Sequence, residues 1–342
     1  MKTLDIIIPV YNVENEVLIQ TLNSIQNQKN VDFEEIGVII VDDFSKSEID
    51  INILKNFSFE IQYYRNSKNC GAGITRQNGL DKSKALYVTF LDSDDEFIVN
   101  DSFSRVFESI KTKKPNVIIT DIIQQYMINN KIAEMRKTYE DFYSLHGLFI
   151  NRQYLSDNNY QFHPELRLYE DFYFCNVLLC TSKCTYIKVE SYLWKYNPSS
   201  LTLKDGEYIF LTKSIDDHFI SIRDGYKQLK NRNCEVSLEF LLYGIYSLYC
   251  VLESNHFNRS EIQIKKNKIE KKFYDFISKN NIILDKCPKS KKDYYYNQLL
   301  QYYKNAHPNL IVLRTYDEFI SRLRKKYKKW KIIDIDKQCN LV

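Results

Sequence analysis

The first hundred residues alternate short, near-continuous apolar runs with amphipathic stretches. Leu4 to Val10, Glu35 to Val41, Phe59 to Arg65 and Ala85 to Leu91 are rich in β-branched and aromatic residues and predict strands. Between them, Val17 to Asn27 sets Val17, Leu18, Leu22 and Ile25 on one helical face. Ile49 to Phe57 is helical in pattern, and Gly71 to Ser83 reads as loop then helix. Strands that are apolar along their whole length, separated by helices, predict an α/β fold with a mostly parallel sheet covered on both faces. Further on, Ser102 to Lys111 predicts a helix, Asn116 to Asp121 a strand and Tyr126 to Arg136 a hairpin. Tyr143 to Ser156 and Tyr169 to Leu179 predict helices, and Tyr186 to Tyr196 a strand. After about residue 205 glycine and proline become rare. Helical periodicity then runs through 210–229, 236–254, 259–279, 293–306 and 316–330. The expected organisation is an α/β domain over 1–205 and an all-helical region over 206–342.

The polar residues that interrupt this pattern collect at strand ends. Leu91 leads into Asp92-Ser93-Asp94-Asp95, Val41 into Asp42-Asp43, and Val10 into Tyr11-Asn12-Val13-Glu14. Positions i and i+2 of an extended chain leave on the same side, so Asp92 and Asp94 can act together. Hard carboxylate oxygens suit Mg²⁺ or Mn²⁺, which take much of their shell from phosphate and water. Ligands of open parallel sheets bind beyond the carboxyl ends of the strands, where Pro9, Tyr11, Asp43 and Asp92 all fall.

Composition changes this picture little. Hydrophobic residues at 44% and charged residues at 27% are ordinary for a soluble globular chain, and the 27 tyrosines fit AT-rich coding. A net charge of +4 gives no reason to expect a nucleic acid partner. Lys2 leads straight into a strand rather than a secretion signal. The longest apolar stretch, Phe240 to Leu252, falls short of the roughly 20 residues a membrane span needs. The eight cysteines form no CxxC pair, so buried free thiols in a reducing cytoplasm are expected. The last helix interleaves Arg322, Arg324, Lys325, Lys326, Lys328 and Lys329 with Leu323, Tyr327 and Trp330. That pattern is a solvated basic face or a surface for an anionic membrane or acidic acceptor.

Four motifs in order now add up: Ile6-Ile7-Ile8-Pro9-Val10-Tyr11-Asn12-Val13-Glu14, Val41-Asp42-Asp43-Phe44-Ser45, Asn69-Cys70-Gly71-Ala72-Gly73-Ile74-Thr75-Arg76-Gln77-Asn78, and Phe90-Leu91-Asp92-Ser93-Asp94-Asp95. Together they resemble the nucleotide-sugar half of family 2 glycosyltransferases of the GT-A fold. Leu168-Tyr169-Glu170-Asp171-Phe172, His146-Gly147 and Trp194 to Thr202 are similar to further segments of that family, so the resemblance covers roughly 1–203. The helical remainder matches no family segment.

The resemblance implies a nucleotide-sugar half over 1–100, an acceptor half over 101–205 and direct displacement with inversion at the anomeric carbon. Pro9, Tyr11, Asn12 and Glu14 are then expected around the nucleotide. Asp43 is expected to accept the imide N–H of uracil, with Asp42 structural. Asn69, Gly71 and Arg76 would hold a phosphate or position Asp92. Asp94 would contact Mn²⁺ or Mg²⁺ directly, while Asp92 and Ser93 reach the ribose or sugar. Asp171, with Glu170 beside it, is the expected general base. Lys195, Ser199 and Ser200 would lie on a flap over the diphosphate. The donor is expected to be a UDP-sugar and the acceptor a glycan, teichoic acid, lipid-linked sugar or protein. The location is expected to be the cytoplasm, or peripheral to the inner membrane face through the basic helix, with room for a homo-oligomer. A receiver domain would carry its acid pair after strand one, and a pyrophosphorylase would need a Gly-rich basic loop there. A haloacid-type phosphatase lacks its Gly-Thr after Asp95-Glu96. The alternative from a different class is a non-catalytic module on a degenerate transferase fold, against which Asp92, Asp94 and Asp171 argue.

Overall fold

The computed structural model describes residues 1–128, 130–138, 144–198, 206–232, 238–254, 262–280, 293–294, 297 and 312–327. They form two compact units. The first comprises Met1–Ser200 and Asp224–Val236, the second Leu201–Arg223 and Ser237–Val342.

In the first unit, β1 (Leu4–Val10), β2 (Ile36–Asp42), β3 (Glu60–Arg65) and β4 (Tyr87–Phe90) are parallel, in the order β3-β2-β1-β4. The sheet then continues through β8 (Leu148–Asn151), β6 (Val117–Ile128), β9 (Cys184–Trp194) and β5 (Glu96–Phe97), with β7 (Lys131–Lys137) paired to β6. Here β4–β8, β8–β6 and β5–β9 run antiparallel, so the sheet is mixed rather than mostly parallel. Helices α1 (Asn15–Gln26), α2 (Ala72–Lys82) and α3 (Ser102–Lys113) flank it. Leu4, Ile6, Ile8, Leu18, Leu22, Ile25, Val38, Ile40, Phe103 and Val106 share one core beneath it.

The expected helix over 143–156 is instead strand β8 followed by α4 (Arg152–Asp157). Leu148-Phe149-Ile150 is a short apolar run that either element can use, and pairing with β4 and β6 settles it. Asn151 then caps α4, its side chain accepting from the Tyr154 N–H. Ile51–Asn56, expected as an α-helix, is a 3₁₀ turn capped by Asp50.

One close approach positions the site. Helix α5 (Glu170–Thr181) begins against α2, where a Cβ at Gly73 would lie 2.8 Å from Glu170 Cγ. Only glycine leaves room for that carboxylate stem.

The second unit contains α6 (Gly206–Asn231) up to Arg223, α7 (Leu238–Leu252), α8 (Gln263–Lys279) and α9 (Tyr316–Tyr327). Its core includes Phe219, Leu248, Tyr249, Ile269, Phe273, Phe319 and Leu323. Glu253 and Glu270 are fully buried there. Arg322 reaches both carboxylates at 2.6 Å, Arg314 reaches Glu253 at 2.6 Å, and Lys326 reaches Glu270 at 2.8 Å. Two cations of the basic helix thus reach internal acids, while Arg324, Lys325 and Lys326 keep an exposed basic face. Lys328, Lys329 and Trp330, nearly all of the helix expected over 293–306, and Ser199 and Ser200 lie outside the described residues. Among the described residues no helix is long and apolar enough to cross a membrane.

Candidate active site

Strands β1, β2 and β4 end together and deliver their polar residues to one edge. Val10 pairs with Asp42, and the Asp43 N–H donates to Val10 O at 2.8 Å. The two following turns are stitched to each other. The Asn12 N–H donates to Ser45 Oγ, and the Lys46 N–H to Asn12 Oδ1, both at 2.8 Å. Tyr11 stays half exposed above this seam, and Glu14 is exposed at the start of α1.

Asp42 and Asp43 have separate duties. Asp42 is fully buried, accepting from the Ser45 N–H and Tyr63 Oη and pairing with Arg65 at 3.1 Å. Burial and the neighbouring Asp42 charge raise the Tyr63 hydroxyl pKa. Asp43 Oδ1 accepts from the Cys70 N–H at 2.7 Å and Asn66 Nδ2 at 2.9 Å, while Oδ2 accepts from the Gly71 N–H at 2.8 Å. A carboxylate offers about four acceptor positions, so Oδ2 retains one. Gly71 has φ +89°, a left-handed conformation that frees its N–H to point at Asp43. Asn69 accepts from Arg167 Nη1 at 2.7 Å, and Arg167 lies across Gly71.

Asp92, Ser93, Asp94 and Asp95 form a turn after β4 that α1 holds from behind. Thr21 Oγ1 donates to Asp95 O at 2.8 Å or Ser93 O at 3.0 Å. Asp92 meets Arg76 Nη2 at 2.6 Å, and the same guanidinium meets Glu170 through Nη1 at 2.8 Å. Arg76 is buried in α2 and thereby joins the end of β4 to the first residue of α5. Its own burial opposes the charge, but Asp92 and Glu170 outweigh that and raise its pKa. Burial of Asp92 is outweighed by Arg76 and His146, which hold its carboxyl well below the usual range. Glu170 goes the other way, to about 7, through burial first and the adjacent Asp171 second, against the pull of Arg76. One cation shared between half-buried Asp92 and buried Glu170 explains the split: Asp92, with His146 also beside it, takes the charge and Glu170 carries the desolvation.

His146, which the family resemblance picked out as a segment without a role, joins the acidic turn. Its Nε2 lies 3.5 Å from Asp92, its Nδ1 shares a 2.7 Å hydrogen bond with Ser144 Oγ, and its ring packs against Tyr192 and Trp194. Asp95 is buried, accepting from Tyr192 Oη at 2.7 Å and the Lys195 N–H at 2.8 Å. Burial, then Asp92 and Asp94, push its pKa well up. Asp92, Asp95 and His146 offer atoms within 4.8 Å of one another that could hold a metal ion. Three carboxylates crowd one turn, with Asp95 driven toward its neutral form by burial and then by the other two, and their oxygens suit Mg²⁺ or Mn²⁺. Asp95 is nevertheless committed to Tyr192 and Lys195, whereas half-buried Asp94 has Asn197 Nδ2 on Oδ2 at 2.6 Å. Asp94 is thus the more accessible carboxylate.

Lys195 is bound away from the site, its Nζ 2.7 Å from Glu96. Asn197 of the same segment approaches the acidic turn through Asp94. Asp171 is half buried at the first turn of α5, with Oδ1 accepting from the Phe172 N–H at 2.7 Å. Sequence spacing gave no sign that His146 would meet Asp92. Arg167 had a weak signal, a cation two residues before the Tyr169-Glu170-Asp171 motif.

Known proteins share the fold and stretches of the sequence. The structure superposes on the crystal structure of Staphylococcus aureus TarS 1–349 with a TM-score of 0.63 at 16% identity, over 92% of this chain and 97% of that one. TarS has also been crystallised with UDP-GlcNAc, and that structure aligns with the same score and coverage. In sequence, 99 residues are 39% identical to the poly(ribitol-phosphate) β-N-acetylglucosaminyltransferase TarP of S. aureus, covering 28% of this chain and 29% of TarP. A Campylobacter jejuni GalNAc(5)-diNAcBac-PP-undecaprenol β-1,3-glucosyltransferase is 25% identical over 229 residues, 56% of this chain and 72% of that protein. The chain thus spans under a third of the length of TarP. The family described as "Glycosyl transferase family 2" matches residues 5–190, more than half of the chain. With the GT-A sheet and the acidic turn in their family order, the chain belongs to glycosyl transferase family 2.

Proposed function

We propose that this protein is an inverting glycosyltransferase that moves a sugar from a UDP-sugar to an acceptor hydroxyl of a cell-surface glycan. The observation that carries the reading is the Arg76 bridge. One buried cation fixes Asp92, on the donor side, to Glu170 at the head of α5, and leaves Asp171 half exposed beside them. In this reading the acceptor oxygen attacks the anomeric carbon as Asp171 takes its proton. The bond from that carbon to the β-phosphate oxygen breaks, and UDP leaves with the electron pair. Glu170 acts through Arg76 to set the distance between the two carboxylate sites. Asp94 would hold Mn²⁺ or Mg²⁺, which when bound neutralises charge on the departing diphosphate.

Pro9, Tyr11, Asn12 and Glu14 would surround the nucleotide with Asp43 on the imide edge of uracil, while Asn69, Gly71, Arg76 and Ser93 form the floor beneath phosphate and sugar. UDP-GlcNAc is the first donor to test, because TarS binds it and TarP is named for transferring that sugar. A teichoic-acid-type polyol phosphate is the first acceptor for the same reason. The helical unit would serve the acceptor or assembly, in the cytoplasm or at its membrane face.

The deciding experiment is Asp171→Asn. Loss of a general base costs about 10²–10⁴-fold in kcat, with UDP affinity held within about twofold. Transfer within about tenfold of wild type would remove Asp171 from the chemistry. A chain that binds UDP-sugars yet neither transfers nor hydrolyses them would be a binding module.

A further inference from the structure

Among the described residues, seven that are not glycine have positive φ: Asn12, Asn30, Phe44, Lys114, Asn130, Asn159 and Tyr169. Four are asparagines, which tolerate this region through local hydrogen bonding. Phe44 does not belong with them. It follows Asp43 directly at φ 64°, and its ring is 50% exposed. The turn demands a left-handed residue, which glycine supplies without steric conflict. The chain instead carries a strained backbone at a residue that is half exposed. Outliers of that kind that the surroundings hold in place mark ligand clamps.

The surroundings do hold it. The Arg65 guanidinium sits 5.3 Å from the ring centroid. Arg65 is itself pinned by Asp42 at 3.1 Å, Glu48 at 3.4 Å and Ser45 O at 2.7 Å. One face of the ring is thus backed by a fixed cation, and half of the residue's surface is exposed. Its location is also set. Asp43 is hydrogen-bonded to Val10, and Asn12 to Ser45, so the turn carrying Phe44 lies against the turn carrying exposed Tyr11. Two exposed aromatic residues therefore stand on adjoining turns, one of them next to Asp43 in the chain.

We propose that Phe44 is a nucleobase-stacking residue, presenting the face opposite Arg65 to the flat base whose imide edge meets Asp43. This rests on the UDP-sugar reading above and adds to it a residue that sets base affinity. Stacking grips any planar base, and Asp43 supplies the preference for an N–H donor at the edge.

Calorimetric titration of UDP, uridine and Mn²⁺-pyrophosphate into wild type, Phe44→Ala, Phe44→Tyr and Phe44→Gly tests it. Phe44→Ala should weaken UDP and uridine by the same factor, about tenfold, and leave pyrophosphate unchanged. Phe44→Tyr should bind as wild type does. Phe44→Gly should weaken UDP at least as much while raising Tm by about 2–4 °C, because it relieves the backbone. That combination separates a ligand role from a folding role. Phe44→Ala binding UDP within twofold of wild type overturns the assignment and leaves the donor reading intact. A folded wild type that binds neither UDP nor uridine removes the donor reading, and the assignment with it.

Discussion

Replacing Arg76 with Met tests the bridge most directly, because Met keeps much of the stem's volume and removes only the charge. The Arg76 side chain is 8% exposed and that of Glu170 9%, while Asp92 is 30% exposed. Removing one member of a buried ion pair costs about 3–5 kcal/mol, because the partner is left charged and unpaired. Water reaching Asp92 places the expected loss near the lower end, about 3–4 kcal/mol at pH 8. The cost depends on pH, and its sign follows from Glu170. Its folded pKa of about 7 lies above the unfolded value near 4.5, so between those values the folded state binds more protons. Stability from this group is present below the unfolded pKa and lost as pH rises through the folded one. Without Arg76 the folded pKa rises further, so at pH 5.5 Glu170 is neutral and the loss shrinks to about 1–2 kcal/mol. Asp92 titrates the opposite way, and its depressed pKa confines its effect to strongly acid solution. Urea unfolding at pH 5.5 and 8 of wild type, Arg76→Met and the double variant with Glu170→Gln measures these terms. The double variant should recover roughly half of the loss at pH 8 and none at pH 5.5. A loss under about 1 kcal/mol at pH 8, or equal losses at both pH values, refutes the bridge as a buried electrostatic link.

Asp94→Asn should abolish the thermal stabilisation that Mn²⁺ adds to the UDP-bound protein, with stability in EDTA unchanged. A full Mn²⁺-dependent shift in this variant would move the metal to the Asp92, Asp95 and His146 group. Gly73→Ala sets two effects against each other: alanine favours the helix by about 1 kcal/mol, but its Cβ would fall 2.8 Å from Glu170 Cγ. Overpacking costs about 1–3 kcal/mol, so a net loss of about 1 kcal/mol in chemical denaturation is expected, and a stabilised variant would mean that α5 gives way.

What could be read from the sequence follows the range of the interactions that decide it. Strands β1 to β4 are legible because Leu4 to Val10 and its neighbours are apolar along their whole length and end in carboxylates. Strand β5 is only Glu96–Phe97 and exists through pairing with Leu193 and Tyr192, about a hundred residues away, so no local pattern announces it. Strand β8 was masked by an apolar run that reads equally as helix. The acidic turn was legible as a cluster of carboxylates at the end of β4. Its electrostatics were not, because Arg76 meets Glu170 across 94 positions and His146 meets Asp92 only once β8 is in place. The ion pairs of Arg322 and Lys326 in α9 were not legible for the same reason, since their buried partner Glu270 lies on another helix.

The three hydrogen bonds on Asp43 bear on how such a protein could be redesigned. This carboxylate closes the end of β2 onto Asn66 and onto the Cys70–Gly71 turn. A swap made to suit another base would also release two backbone N–H groups and an amide, and would loosen the glycine turn against which Arg167 lies. In the proposed reading, base preference would therefore be welded to loop architecture at that position. Engineering a new donor range should leave Asp43 alone and work on the exposed aromatic rim, where Tyr11 and Phe44 can be exchanged without unlacing the turns beneath them.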